Sequence, residues 1–401
     1  MELNNITFNK TIGGLGRTLP GQDHVSGMLF WLDSKGSKTK EDTPIAIKSV
    51  EELERLGIEK QKRFEGDSGF DENVDEKDDQ TIWYHVEQFF GMNPGATLWV
   101  EIKTTADSSS VESLQQSANG AIRQIGIYDE VSSNTEPFIG DLQNKATNLA
   151  DKNQPVSVLY QNVNYVVPKE ENTSLLREGK AKYISVLIGQ DANARKIKEK
   201  IGCIGVALGA LSSAAVHENI GWVQKFNLGG HISNPEILIK ENADPDPDEF
   251  QAIKTMSKTD KSNLNSTGFI FPLQHIGDPG VYFNDSHTCI DSLDDYAYIE
   301  NNRTIEKAIR EIRSNLLPQL NSPFDIDSET GRMTQDAAKH FENLCKQPLE
   351  RMVNQGELSE FGVKVDPLQV ISDSHIEVVM KLVPRGTARS IKVNIGFTAR
   401  V

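Results

Sequence analysis

The chain has 401 residues, a length that favours two domains or three. Its 58 acidic against 42 basic side chains leave a formal charge of -16, which argues against nucleic-acid binding unless a basic patch is set apart. The three cysteines, Cys203, Cys289 and Cys345, lie far apart with no CxxC or Cys/His grouping; this excludes a disulfide framework and a cysteine zinc site, and fits a reducing compartment.

The opening Met-Glu-Leu-Asn-Asn lacks the basic and apolar regions of a secretory leader. Ile6 and Phe8 alternate before Gly13-Gly14-Leu15-Gly16, and this stretch reads as a tail or as an arm that docks elsewhere. Residues 27–32 (GMLFWL) read as a first buried strand, and 49–57 as a short helix closed by Gly57. Residues 71–79 hold six acids and one lysine, which predicts a solvated loop, part of an acidic loop near 65–80.

From Thr81 to Leu228 strand and helix patterns alternate. Apolar runs at 96–102, 122–128, 155–160 and 183–188 predict strands; 110–118, 138–151 and 192–216 predict helices. That order implies a layered α/β domain with a partly parallel sheet. The stretch 201–216 is too short for a membrane span and reads as a buried helix. Residues 242–249, with two prolines between aspartates, read as a loop.

Towards the end, a helix starting at Thr304 places Ile305, Ile309, Ile312 and Leu316 on one stripe, with Arg303, Lys307, Arg310 and Arg313 facing elsewhere. Thr334 is the N-cap of a second helix with Ala337, Phe341, Leu344, Cys345 and Met352 inward, closed by Gly356. Alternation at 361–365, 376–382 and 391–399 predicts three strands, with Pro384-Arg385-Gly386 turning between the last two. The fold class expected is mixed α/β and α+β.

No motif assembles a catalytic set. Gly202, Gly205 and Gly209 are spaced GxxGxxxG and follow a helical pattern, which suits close helix packing rather than a pyrophosphate loop. Gly13 to Arg17 lacks the Lys-Ser/Thr of a P-loop, and Asp244-Pro-Asp-Pro-Asp248 lacks the glycine and final glutamate of a calcium loop. The eight histidines show no HExxH, and no GxSxG nucleophile elbow occurs. Asp285 with Asp294-Asp295 offers a candidate carboxylate pair, but adjacent acids ahead of a helix usually serve its dipole. The expectation is no catalytic residue, no cofactor and no metal. The alternative is a nucleotide- or cofactor-binding α/β enzyme using residues 96–216.

The last strand is amphipathic, and from Lys381 onward the chain carries Lys381, Arg385, Arg389, Lys392 and Arg400 with no acid. Such a strand needs a sheet, either in its own subunit or at a neighbour's edge, and a basic tail complements an acidic body in both cases.

Residues 264–401 resemble the end of contractile tail sheath proteins of phages and related injection particles. The likeness runs through Asn265-Ser-Thr-Gly268-Phe-Ile-Phe, Gly280-Val-Tyr-Phe, His287-Thr288, Asp294-Asp295-Tyr-Ala-Tyr-Ile299-Glu-Asn-Asn-Arg303, Pro323-Phe324, the helix 334–354, Gly356-Glu-Leu-Ser-Glu-Phe361-Gly-Val-Lys-Val-Asp366 and the hairpin 376–401. Thr304 stands where a second arginine is usual. Gly14-Leu15-Gly16-Arg17 and Asp23-His24-Val25-Ser26-Gly27 resemble the start of a divergent sheath branch.

The resemblance implies an exchange arm at 1–20, an α/β body at 21–275 and an assembly domain at 276–401 ending in an exchange strand at 388–401. It implies a non-enzymatic subunit that stacks as hexameric rings around an inner tube and contracts. The partners would be further copies of itself, the inner tube protein, and baseplate and tail-terminator proteins, with no nucleic acid and no membrane insertion. Its place would be the producing bacterium's cytoplasm, then a virion tail or injection particle. Ile6 and Phe8 would anchor one arm and Ile391, Val393, Ile395 and Phe397 the other, with Arg303, Lys381, Arg389 and Arg400 as further assembly residues.

Overall fold

A computed structural model describes residues 22–34, 43–60, 74–133, 136–168, 175–240, 249–367 and 376–395. Ile6, Phe8, the glycines 13–16, the loop 242–248, Phe397 and Arg400 lie outside these residues. The protein is mixed α/β, with a helix-plus-sheet region at its C-terminal end.

Six strands form the main sheet: β1 (Ser26–Trp31), β2 (Ile45–Ile47), β3 (Leu98–Lys103), β4 (Gln124–Asp129), β5 (Ser157–Asn162) and β6 (Ile184–Val186). Their order is β2-β3-β1-β4-β5-β6, parallel except for β2. All of β1, β4 and β5 is buried, as a strand covered on both faces must be, and this is why they read as unbroken runs rather than alternating ones. Met28, Phe30 and Leu32 point to one apolar layer, and Leu29 and Trp31 to the other. The first layer holds α2 (Val74–Met92), behind the short α1 (Val50–Arg55); the second holds α3 (Ser110–Ser117) and α4 (Glu136–Asp151).

Two expectations in this body need correction. The acidic run is not all loop: α2 begins at Val74, and Asp78 and Asp79 are buried on it. Asp78 shares a face with Ile82 and Phe89 and receives the Lys198 ammonium at 3.0 Å, so its charge is compensated rather than solvated. The expected helix 192–216 is two pieces, a 3-10 turn Ala192–Lys196 and α5 (Ile204–Ser213), parted at Gly202, whose φ of 71° suits glycine. The packing role read for the glycines holds. A Cβ on Gly205 would stand 2.3 Å from the His85 carbonyl oxygen, and one on Gly209 2.7 Å from that of Phe89, so α2 and α5 meet backbone to backbone.

The C-terminal region joins α6 (Ile299–Leu316), α7 (Gln335–Asn354) and an antiparallel pair, β7 (Leu358–Val365) with β8 (Val378–Pro384), in which Phe361 faces Leu382. Thr334 caps α7 by accepting the Ala337 N–H, as its position implied. Pro348 sits inside α7 and cannot serve the Leu344 carbonyl one turn back; the Asn315 side chain of α6 donates to that oxygen instead, at 3.0 Å. Helix α6 starts at Ile299, five residues before Thr304. Its buried apolar side includes Ile299, Ala308 and Ile312, whereas Ile309 is exposed; Arg303 and Lys307, expected to face away, are buried.

The third expected strand is absent among the described residues. Beyond Pro384 the segment 385–395 has no ladder partner, and Pro384-Arg385-Gly386 does not return the chain along β8. The reason lies in what Arg389 binds.

Candidate assembly site

Arg389 is drawn onto its own body. Its Nε donates to Asp285 at 3.0 Å, its guanidinium binds Glu300, and the guanidinium carbon lies 3.3 Å from the Tyr298 ring centroid. This is an ion pair to two carboxylates with a cation–π contact beneath it. The carboxylates are held in turn: Asn219 Nδ2 donates to Asp285 and Glu300, the Ser286 hydroxyl donates to Glu300, and Thr387 reaches Glu300 at 3.5 Å. Burial raises the Glu300 pKa, and the Arg389 charge works against that rise.

Past this grip the chain carries its apolar residues outward. Ile391, Val393 and Ile395 are 79%, 75% and 95% exposed, with Lys392 and Asn394 between them. The alternation that predicted a strand is present without a sheet to receive it. Strand β8 offers a matching vacancy: among the described residues it pairs with β7 alone, and Val379, Met380 and Val383 remain exposed on it. Lys381 lies exposed on the same strand.

A second ionic grip holds Asp23, next to the undescribed residues 1–21. The Lys307 ammonium approaches Asp23 at 3.0 Å and Glu357 at 2.6 Å, and Arg310 reaches Asp23 at 2.5 Å. Burial alone would raise the Asp23 pKa, but Arg310 and Lys307 hold it below its ordinary value. Burial alone would lower that of Lys307, but Asp23 and Glu357 hold it above. Arg303 donates to the carbonyls of Ala214 and Ala215, at 3.2 and 3.5 Å, at the C-terminal end of α5.

The residues singled out in the sequence therefore divide. Ile391, Val393, Ile395 and Lys381 are exposed and available to another molecule. Arg303 is buried within its own chain, where it holds the carbonyls of Ala214 and Ala215. Arg389 ties the tail to its own body. Asp285 pairs with Arg389 rather than with Asp294, which instead accepts the Tyr296 N–H. Glu300, Tyr298, Asn219, Asp23 and Glu357 were not anticipated, because no spacing in the chain links them to their partners.

A separate cleft of about 420 Å³ opens at the carboxyl ends of β1, β4 and β5, lined by Asp33, Glu130, Asn164 and residues 195–200. Lys198 crosses it to Glu130 at 2.5 Å. Open parallel sheets bind ligands at this edge.

The molecule is thus a three-layered α/β body carrying a helix-and-hairpin region, with Asp23 and Arg389 each held to α6 by ion pairs. Residues 3–287 match the family model described as DUF2586, N-terminal domain, and residues 295–401 match DUF2586, C-terminal domain; the chain belongs to the DUF2586 family. No curated protein matches it. No helix among the described residues is long and apolar enough to cross a membrane.

Proposed function

We propose that this chain is a structural subunit of a contractile tail sheath, polymerising as stacked rings around an inner tube, with copies joined by strands donated from their ends. The observation that carries this reading is the outward run of Ile391, Val393 and Ile395 beyond a fixed root at Arg389. Three alternating apolar side chains in water are unfavourable by about 1.5–3 kcal/mol each relative to full burial. Main-chain pairing with a second copy would bury them and satisfy their backbone. The open β8, with Met380 and its neighbours uncovered, is an edge of the right kind. Residues 1–20, with Ile6 and Phe8, would supply the opposite arm.

The test is negative-stain microscopy of the purified protein and of two variants that keep Arg389: a chain ending at Ser390, and Ile391→Asp/Val393→Asp/Ile395→Asp. The wild type should form hollow striated cylinders and the variants should stay as folded monomers. Cylinders formed by either variant would refute the arm.

A second reading rests on the cleft at the carboxyl ends of the sheet. There a small anionic ligand would meet Lys196 and Lys200, and a nucleotide- or cofactor-using enzyme would follow. The glycines 205 and 209 give it no support, since helix contact occupies them. A rise in melting temperature with nucleotides or flavins would favour this reading over the first.

A further inference from the structure

Both grips belong to one helix. Glu300, Arg303, Lys307 and Arg310 are spaced three, four and three residues apart, so they form a single stripe along α6, about 15 Å from end to end. Glu300, at one end, holds Arg389. Lys307 and Arg310, at the other, hold Asp23, and Lys307 also ties down Glu357 just ahead of β7. Arg303 lies one turn from each grip. It is buried and held by the α5 carbonyls, and its charge is felt by both Asp23 and Glu300.

We propose that α6 is a shared clamp for the two ends of the chain, with Arg303 as a positioning residue that couples the grip on Asp23 to the grip on Arg389. The physical argument starts from charge balance. Arg303, Lys307 and Arg310 act on Asp23 together, and Asp23, Arg303 and Arg310 line one small pocket with Arg123 and a single further carboxylate, Glu306. Neutralising Asp23 leaves these cations facing one another in a poorly screened site. The helix relieves this by shifting as a rigid unit, since two turns do not bend independently. Glu300 then moves relative to Asp285, which belongs to a different segment, and the two carboxylates no longer converge on Arg389. The relation is reciprocal: whatever Asp23 does for the Arg389 grip, Arg389 does for Asp23.

The clamp takes its purpose from the reading of the chain ends as arms, but the coupling is a property of the unassembled chain and is tested there. The Arg389 N–H donates to the Thr387 carbonyl at 3.1 Å, so its hydrogen exchange reports the state of the C-terminal grip. Exchange is measured on the full-length monomer for wild type, Asp23→Asn, Arg303→Lys and a control, Lys346→Gln, which breaks the pair with Glu342 on α7, away from both grips. Asp23→Asn should speed exchange at Arg389 about fivefold, and the control should leave it unchanged. In Arg389→Gln the Asp23 carboxyl, followed by NMR titration, should move up towards its ordinary pKa. Combining Arg303→Lys with Asp23→Asn should shrink the fivefold effect, since lysine keeps the charge but not the two-carbonyl hold. If Asp23→Asn does not fold, the Arg389→Gln titration carries the test by itself, and an Asp23 pKa unchanged from wild type would overturn the clamp. Exchange at Arg389 that is the same in wild type, Asp23→Asn and the control would overturn the clamp. Tubes formed by the chain ending at Ser390 would overturn the arms and leave the clamp standing.

Discussion

His85 makes the joint between α2 and α5 sensitive to acid. The ring is fully buried; its Nδ1 accepts the Gly205 N–H at 3.3 Å, so the proton sits on Nε2, which donates to the Ile201 carbonyl at 2.9 Å. The neutral tautomer satisfies both nitrogens, and a second proton at Nδ1 would point at an N–H. Burial pushes its pKa down to about 3, with the hydrogen bond to Ile201 opposing only in part. In the unfolded chain it titrates near 6.5, so below that pH the unfolded state takes up a proton that the folded state refuses. Stability contributed by the neutral ring is complete above pH ~6.5 and falls by about 1.4 kcal/mol per unit down to about pH 3, which is about 2.7 kcal/mol at pH ~4.5. Other groups slope the opposite way: burial raises the carboxyls of Glu130 and Glu306, and these favour the folded state as pH falls. The assay is therefore differential. Urea unfolding of wild type and His85→Gln is compared at pH 7, 5.5 and 4.5; glutamine keeps a donor and an acceptor but does not titrate. The advantage of wild type over variant should shrink by about 2.7 kcal/mol across the range. An advantage that stays constant with pH would refute the buried neutral histidine.

Two further outcomes are expected. Gly205→Ala should destabilise by about 1–3 kcal/mol because its Cβ meets the His85 backbone, whereas Gly95→Ala, with no atom within 4 Å of the added carbon, should lie within about 0.5 kcal/mol of wild type; equal midpoints in urea would remove close helix packing as the role of Gly205. If cylinders form, their assembly should weaken from low to high salt, and Lys381→Gln/Lys392→Gln should flatten that dependence; sedimentation at several ionic strengths reads both, and an unchanged slope in the variant would separate these cations from the contact.

The parts of the fold that were legible in the sequence are those where one physical rule acts alone. Strands covered on both faces need unbroken apolar runs, so GMLFWL and its parallel neighbours stood out. Thr334 announced a cap because a side-chain oxygen at that point serves a local N–H. Legibility failed where tertiary charge compensation overrode a local rule. Asp78 belongs to an acid-rich run that looks solvated until Lys198, 120 residues away, is brought to it. Arg303 and Lys307 look like the wet side of an amphipathic helix because nothing nearby in sequence shows the α5 carbonyls, Asp23 or Glu357. Arg389 resembles any other tail cation, and its partners lie 104 and 89 residues upstream. In the candidate site the alternation at 391–395 could be seen in the chain itself, whereas the ionic partners of Arg389 and Asp23 could not.

That division has a physical logic. An arm that must reach another molecule cannot spend its apolar side chains on its own root, or nothing remains to bury at the far end. Fixing the root with charge leaves Ile391, Val393 and Ile395 free while still setting where the segment departs. The grip on Arg389 is partly sheltered, with Asp285 and Glu300 buried and the Arg389 side chain 30% exposed, so it is screened less than a surface pair. It is also directional, since removing either partner strands a charge in a poorly solvated site. A flexible root would have to lose its orientational freedom each time a strand docked; one already fixed has lost it on folding. On the proposed reading, the ionic roots would make assembly depend on how Asp23 and Arg389 are held as well as on what the arms bury.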